Sequence, residues 1–174
     1  MNNGGFTLIE SLVVISILTL MTSFLILYNR TGELQIIILK EKANLIGTIL
    51  RAKNLALGTL VTESAGVITC GYGVYIENNS YFIYRDLASD CQISDQSYSG
   101  NSSGEKLEGE TYKLLPAVQF FQNEVNDILF VPPLPDVFFD GSKAVGEKII
   151  RLSDISRDTK SEIIINNAGQ ISEQ

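Results

Sequence analysis

Histidine is missing from all 174 residues, and that absence removes several enzyme classes at once. No Ser-His or Cys-His nucleophile pair can form, and no zinc site with an imidazole ligand. Two cysteines, Cys70 and Cys91, are too few for a four-cysteine metal site and enough for one disulfide. No internal repeat is present. Positive charge is scarce beyond the first third: residues 1–58 hold five bases against three acids, whereas the rest holds eight bases against seventeen acids, a balance of −9. So acidic a region does not attract a phosphate backbone, which disfavours direct DNA binding. Gly71 and Gly73 make no phosphate loop, because no helix opens after them. Nothing in the sequence calls for a cofactor or a resident metal.

What the front of the chain has instead is a long apolar run. Residues 6–28 carry one charge, Glu10, and no proline. As a helix at about 1.5 Å per residue this run reaches about 34 Å, against a hydrocarbon core of about 30 Å. Ser11, Ser16, Thr19, Thr22 and Ser23 can return their protons to backbone carbonyls within such a helix. Residues 6–28 are therefore expected to span a membrane. Glu10 is the anomaly, since a carboxylate in hydrocarbon costs several kcal/mol unless it is paired. It reads either as a functional intramembrane acid or as an interfacial residue favoured by the dipole at a helix start.

Gly5-Phe6-Thr7-Leu8-Ile9-Glu10, with the apolar run behind it, resembles the processing site of type IV pilins and of the pseudopilins of type II secretion. The resemblance implies a leader at residues 1–5, cleavage between Gly5 and Phe6 by a membrane-embedded prepilin peptidase, and N-methylation of Phe6. Gly5 would put no side chain at the scissile bond. Glu10 would neutralise the new Phe6 amine, most usefully that of a neighbouring subunit, and so set the register of assembly. Removing one member of a buried pair of this kind costs about 3–5 kcal/mol. The leader departs from the usual pattern in carrying no Lys or Arg before Gly5. The nearest bases, Arg30, Lys40 and Lys42, lie after the span, so charge alone would orient the helix the other way. The motif places the head outside the cytoplasm, anchored by one pass in the inner membrane and reaching a periplasmic or extracellular filament after assembly. In an exported head Cys70 and Cys91 are natural disulfide partners, closing a loop of about 20 residues worth roughly 3 kcal/mol. The alternative is two buried free thiols.

Beyond Tyr28 the helical pattern continues but turns amphipathic, with Leu34, Ile38, Leu45, Ile49, Ala52 and Ala56 on one face. Lys40, Glu41, Arg51 and Lys53 fall mostly off that stripe. Gly32 and Gly47 weaken the helix by about 1 kcal/mol each, which makes Gly32 the place for a bend or a melted turn. One helix over residues 6–58 is predicted, stopped at Gly58. From residue 65 the period becomes 2. Strands are predicted at 67–70, 72–76, 81–85, 118–121, 128–131, 137–139, 148–152 and 162–165, with a last one around Ile171. Asn78 and Asn79 suit a hairpin turn. Residues 86–110 read as a polar surface loop. Pro132, Pro133 and Pro135 mark an edge or a crossover.

These elements predict an α+β fold, a long helix packed on an antiparallel β-sheet head over residues 59–174. Arg51-Ala52-Lys53-Asn54-Leu55-Ala56, Cys70-Gly71-Tyr72-Gly73-Val74-Tyr75, Phe130-Val131-Pro132-Pro133 and Ile163-Ile164-Ile165 before Ala168-Gly169-Gln170-Ile171 resemble the H-type minor pilins and pseudopilins (GspH/FimT-like). That resemblance implies the pilin fold and a minor structural subunit. Its partners would be other pilin or pseudopilin subunits, the prepilin peptidase, an inner-membrane assembly platform and membrane lipid. An adhesin or DNA-uptake module at a filament tip, using the 86–110 loop, is the alternative. A tethered enzyme is disfavoured, because no catalytic constellation emerges. Asp86, Asp90 and Asp95 match no EF-hand spacing and read as a solvated loop.

Overall fold

The structure, a computed structural model, describes residues 7–58, 63–64, 66–100, 104–133 and 136–173. One helix, α1 (Leu8–Gly58), occupies the first third of the chain. Its assignment runs without a break through Gly32 and Gly47, so no turn is melted there. It extends to Gly58, the last described residue before position 63. Two compact units are distinguished, one ending at Ile36 and the other beginning at Ile37. The second half of α1 thus belongs to the same unit as the strands.

Among the described residues that unit holds eleven strands: β1 (Glu63–Ser64), β2 (Val67–Ile76), β3 (Ser80–Ala88), β4 (Lys106–Lys113), β5 (Val118–Phe120), β6 (Asp127–Val131), β7 (Asp136–Phe139), β8 (Ser142–Lys143), β9 (Glu147–Asp154), β10 (Lys160–Asn166) and β11 (Ile171–Glu173). They form two sheets in which every pairing is antiparallel. The larger runs β4-β3-β2-β6-β7-β8, with β1 against β2, and the smaller runs β11-β10-β9-β5. The fold is α+β with a pilin-like layout.

The helix buries Ile38, Leu45, Ile49, Ala52 and Ala56 in one core shared by both sheets. Val74, Ile83 and Phe130 come from the larger sheet, and Ile150, Leu152, Ile163 and Ile165 from the smaller. In β10 the alternation is plain: Ser161, Ile163 and Ile165 are buried while Glu162 and Ile164 are partly exposed. Lys53 Nζ ties the helix to the carbonyl of Gly169 at 2.9 Å. Glu41, expected off the stripe, is 5 % exposed, and burial raises its carboxyl above the ordinary value.

Three sequence readings need correction. The 67–70 and 72–76 strands are one strand, β2, irregular between Thr69 and Gly71 where it pairs with β3. A Cβ at Gly73 would stand 2.5 Å from the Tyr84 ring and 2.6 Å from the Ile128 carbonyl oxygen, so no other residue fits there. The proline segment, of which Pro135 lies outside the described residues, is neither an edge nor a crossover. Val131 pairs with Asp136, which makes it the hairpin connection between β6 and β7. The 86–110 loop is also shorter than predicted, because β3 runs on through Asp86 to Ala88 and β4 begins at Lys106.

Candidate functional site

The front of α1 is capped by its own sequence. Thr7 precedes the first helical residue, and its Oγ1 accepts the Glu10 N–H at 3.4 Å. The Glu10 carboxylate reaches back to the Thr7 N–H, with Oε2 at 3.5 Å. This reciprocal pair is a capping box, and it lets a carboxylate sit where the helix dipole favours negative charge. The pattern Thr-x-x-Glu before an apolar run was the sequence signal for it.

Behind the cap, Leu8–Ile26 is 19 residues of mean hydropathy 2.2, long and apolar enough to cross a membrane. Every residue from Thr7 to Ile26 is exposed. All five hydroxyl groups donate to backbone carbonyls of the preceding turn, Ser16 Oγ to Leu12 O and Ser23 Oγ to Thr19 O both at 2.8 Å. Each such bond hides a polar group that hydrocarbon could not satisfy. Gly5 and Phe6 lie outside the described residues.

The head presents a second region, the outer face of the larger sheet. Phe82, Tyr84 and Leu129 are fully buried there, away from the main core. Their cover is the connection between β3 and β4. Cys70 and Cys91 are joined in a disulfide, which fixes the start of that connection to β2. The Tyr98 ring then lies 5.0 Å from those of Tyr75 and Phe82 and 5.4 Å from that of Tyr84. The Tyr98 N–H donates to Asp127 Oδ2 at 2.7 Å, and the Tyr84 hydroxyl donates to Asp127 Oδ1. Burial, partly offset by these hydrogen bonds and reinforced by Asp140 and Asp95, pushes the Asp127 carboxyl up to about 6. Burial and the Asp127 charge push the Tyr84 hydroxyl well above its usual range.

Asp86 is 1 % exposed on β3, not part of a solvated loop, and Glu105 is 2 % exposed just before β4. Asp90 and Asp95 are exposed, as expected. Burial, with Asp95 and Glu105 nearby, pushes the Asp86 carboxyl up to about 6 against the bond from Ser94.

Three of the bases near the C-terminus that could serve a nucleic acid have partners within the head. Arg151 bonds Glu162 at 2.8 Å and Glu124 at 3.1 Å, while Arg157 and Lys160 lie over the Phe121 ring. An open cleft of about 930 Å³ is lined by Tyr75, Asn78, Asn79, Gln119, Asn123 and Asn126, among others, and offers neutral amides.

Residues 1–26 match a family model described as the prokaryotic N-terminal methylation motif. No match is found among curated proteins or among solved structures. The motif together with the apolar helix supports a membrane-anchored, pilin-like structural subunit, assembled with other pilins and processed by a prepilin peptidase.

Proposed function

We propose that this chain is a minor subunit of a type IV pilus or pseudopilus, of the H type, cleaved between Gly5 and Phe6 and N-methylated at Phe6. One observation carries the reading: a methylation motif over residues 1–26 takes in the apolar, exposed span Leu8–Ile26, whose lone charge, Glu10, is its third residue. Among the described residues the Glu10 cap is made with Thr7. Cleavage before Phe6 leaves that cap intact and adds an ammonium group one residue upstream. During assembly Glu10 answers the Phe6 amine of a neighbouring subunit, and the need to pair both charges in lipid sets the register. The acidic head stays outside the inner membrane, and the assembly platform adds or extracts subunits through the helix.

Two substitutions separate this role from helix capping. A capping box accepts Gln in place of Glu, so Glu10→Gln keeps the cap and removes the charge. Glu10→Gln and Glu10→Ala should both fall out of sheared filaments while the near-ultraviolet spectrum of the head is unchanged. Normal incorporation of Glu10→Gln would reduce Glu10 to a cap.

A second reading, a binding module at a filament tip, is favoured by the amide-lined cleft. Its DNA version predicts a gel shift at low salt, and the −9 balance and the committed bases argue against one.

A further inference from the structure

We propose that Asp86, Asp95 and Glu105 form a calcium site on the outer face of the head. One carboxylate oxygen from each of the three lies within 4.8 Å of the others. Calcium binds oxygen at about 2.4 Å, so a single ion at the centre can touch oxygens about 4.8 Å apart on opposite sides. Magnesium demands a stiff octahedron and keeps several waters, so a site built from three protein carboxylates suits it less well than calcium. The donors are all hard oxygens with no sulfur or imidazole, which excludes the softer transition metals.

The independent sign that a ligand belongs here is Asp86 itself. Its Oδ1 is buried and has no hydrogen-bond partner among the described residues, although the residue is only 1 % exposed. Asp86 also makes no ion pair among the described residues. A buried carboxylate oxygen without a partner is costly, and a cation held also by the carboxylates of Asp95 and Glu105 would answer it. Hydroxyl and amide donors orient the three acids. The Ser94 hydroxyl donates to Asp86 Oδ2, Ser99 Oγ donates to Asp95 Oδ2 at 2.5 Å, and the Ser99 N–H donates to Glu105 Oε2 at 2.8 Å. Asp86 faces Gly71 in the β2–β3 register, one residue from the disulfide cysteine. The covalent link therefore fixes the connection that brings Asp95 to Asp86, and calcium would pin the same connection from its far side.

The test is calorimetric titration of chelator-treated full-length protein in detergent micelles with calcium chloride. One saturable site is expected, with a dissociation constant of roughly 10⁻⁴–10⁻³ M, the range of extracellular calcium modules. Asp95→Asn, an exposed position that does not threaten folding, should lose saturable binding and the calcium-dependent rise in melting temperature. Asp90→Asn, an exposed acid of the same connection outside the trio, should bind as the parent does. No saturable heat from the parent up to about 10 mM calcium, or undiminished binding by Asp95→Asn, would overturn the site. Equal binding of magnesium chloride would overturn the assignment of the ion.

Discussion

The two halves of α1 are both apolar, yet they present that character in opposite ways. Leu8–Ile26 exposes every side chain, whereas beyond Ile37 the buried apolar residues, Ile38, Leu45, Ile49, Ala52 and Ala56, form a stripe joined in burial by Glu41, Lys42 and Thr48, while Leu39, Lys40, Asn44 and Arg51 are exposed. A stripe means that the partner surface is in the same chain; an apolar surface all round means that the partner is outside it, in lipid or in other subunits. The difference divides the helix into a part that folds the head and a part that waits for an assembly.

The sharpest way to break that division is truncation of one leucine in each half. Leu45→Ala should lower the unfolding free energy of the head by about 2–5 kcal/mol, because Leu45 is fully buried in the shared core. Leu18→Ala, at a position 57 % exposed, should leave head unfolding unchanged in micelles. Denaturant titration followed by near-ultraviolet dichroism reads both. A loss of head stability from Leu18→Ala would show that the halves are not separate in function.

Replacing both Cys70 and Cys91 by Ser should cost about 3 kcal/mol, since the bridge spans 21 positions of chain. The loss belongs to the head alone, and thermal unfolding should register it with the membrane segment intact. A smaller effect concerns pH. Asp127 titrates near 6 in the fold against an ordinary 3.8, so the folded state binds its proton more tightly than the unfolded chain does. Its contribution therefore rises as pH falls from about 6 towards 4 and is lost as pH climbs back through 6. Asp127→Asn should flatten this part of the melting-temperature profile; an unchanged slope would assign it to another group. The smallest expected effect is at the cap. Thr7→Ala should weaken the first turn by about 1 kcal/mol, seen as faster amide exchange at Glu10 and Ser11 and nowhere in the head.

Much of this layout was legible in the residues. The helix declared itself by apolar length, and β5, β6, β7, β9, β10 and β11 by runs of Ile, Val and Phe between turn residues. β4 did not, because Lys106, Glu108, Glu110 and Lys113 leave it no apolar face. It is an edge strand whose charges keep that edge solvated. Asp86 was misplaced for a different reason. Its burial is imposed by a connection that folds back over the sheet, held by a disulfide and by Tyr98, and no local pattern records that. The capping box is written in Thr7 and Glu10, but the same Glu10 also fits an intramembrane charge, so the residue type alone does not single out the cap.

Whether the exposed front half serves assembly beyond anchoring the chain turns on processing, which the mass of the N-terminal peptide reads directly. Mass spectrometry of the N-terminal peptide, taken from the native membrane of filament-forming cells, should find a chain that begins at a methylated Phe6. An intact Met1 on the bulk of the protein in those cells would contradict the account.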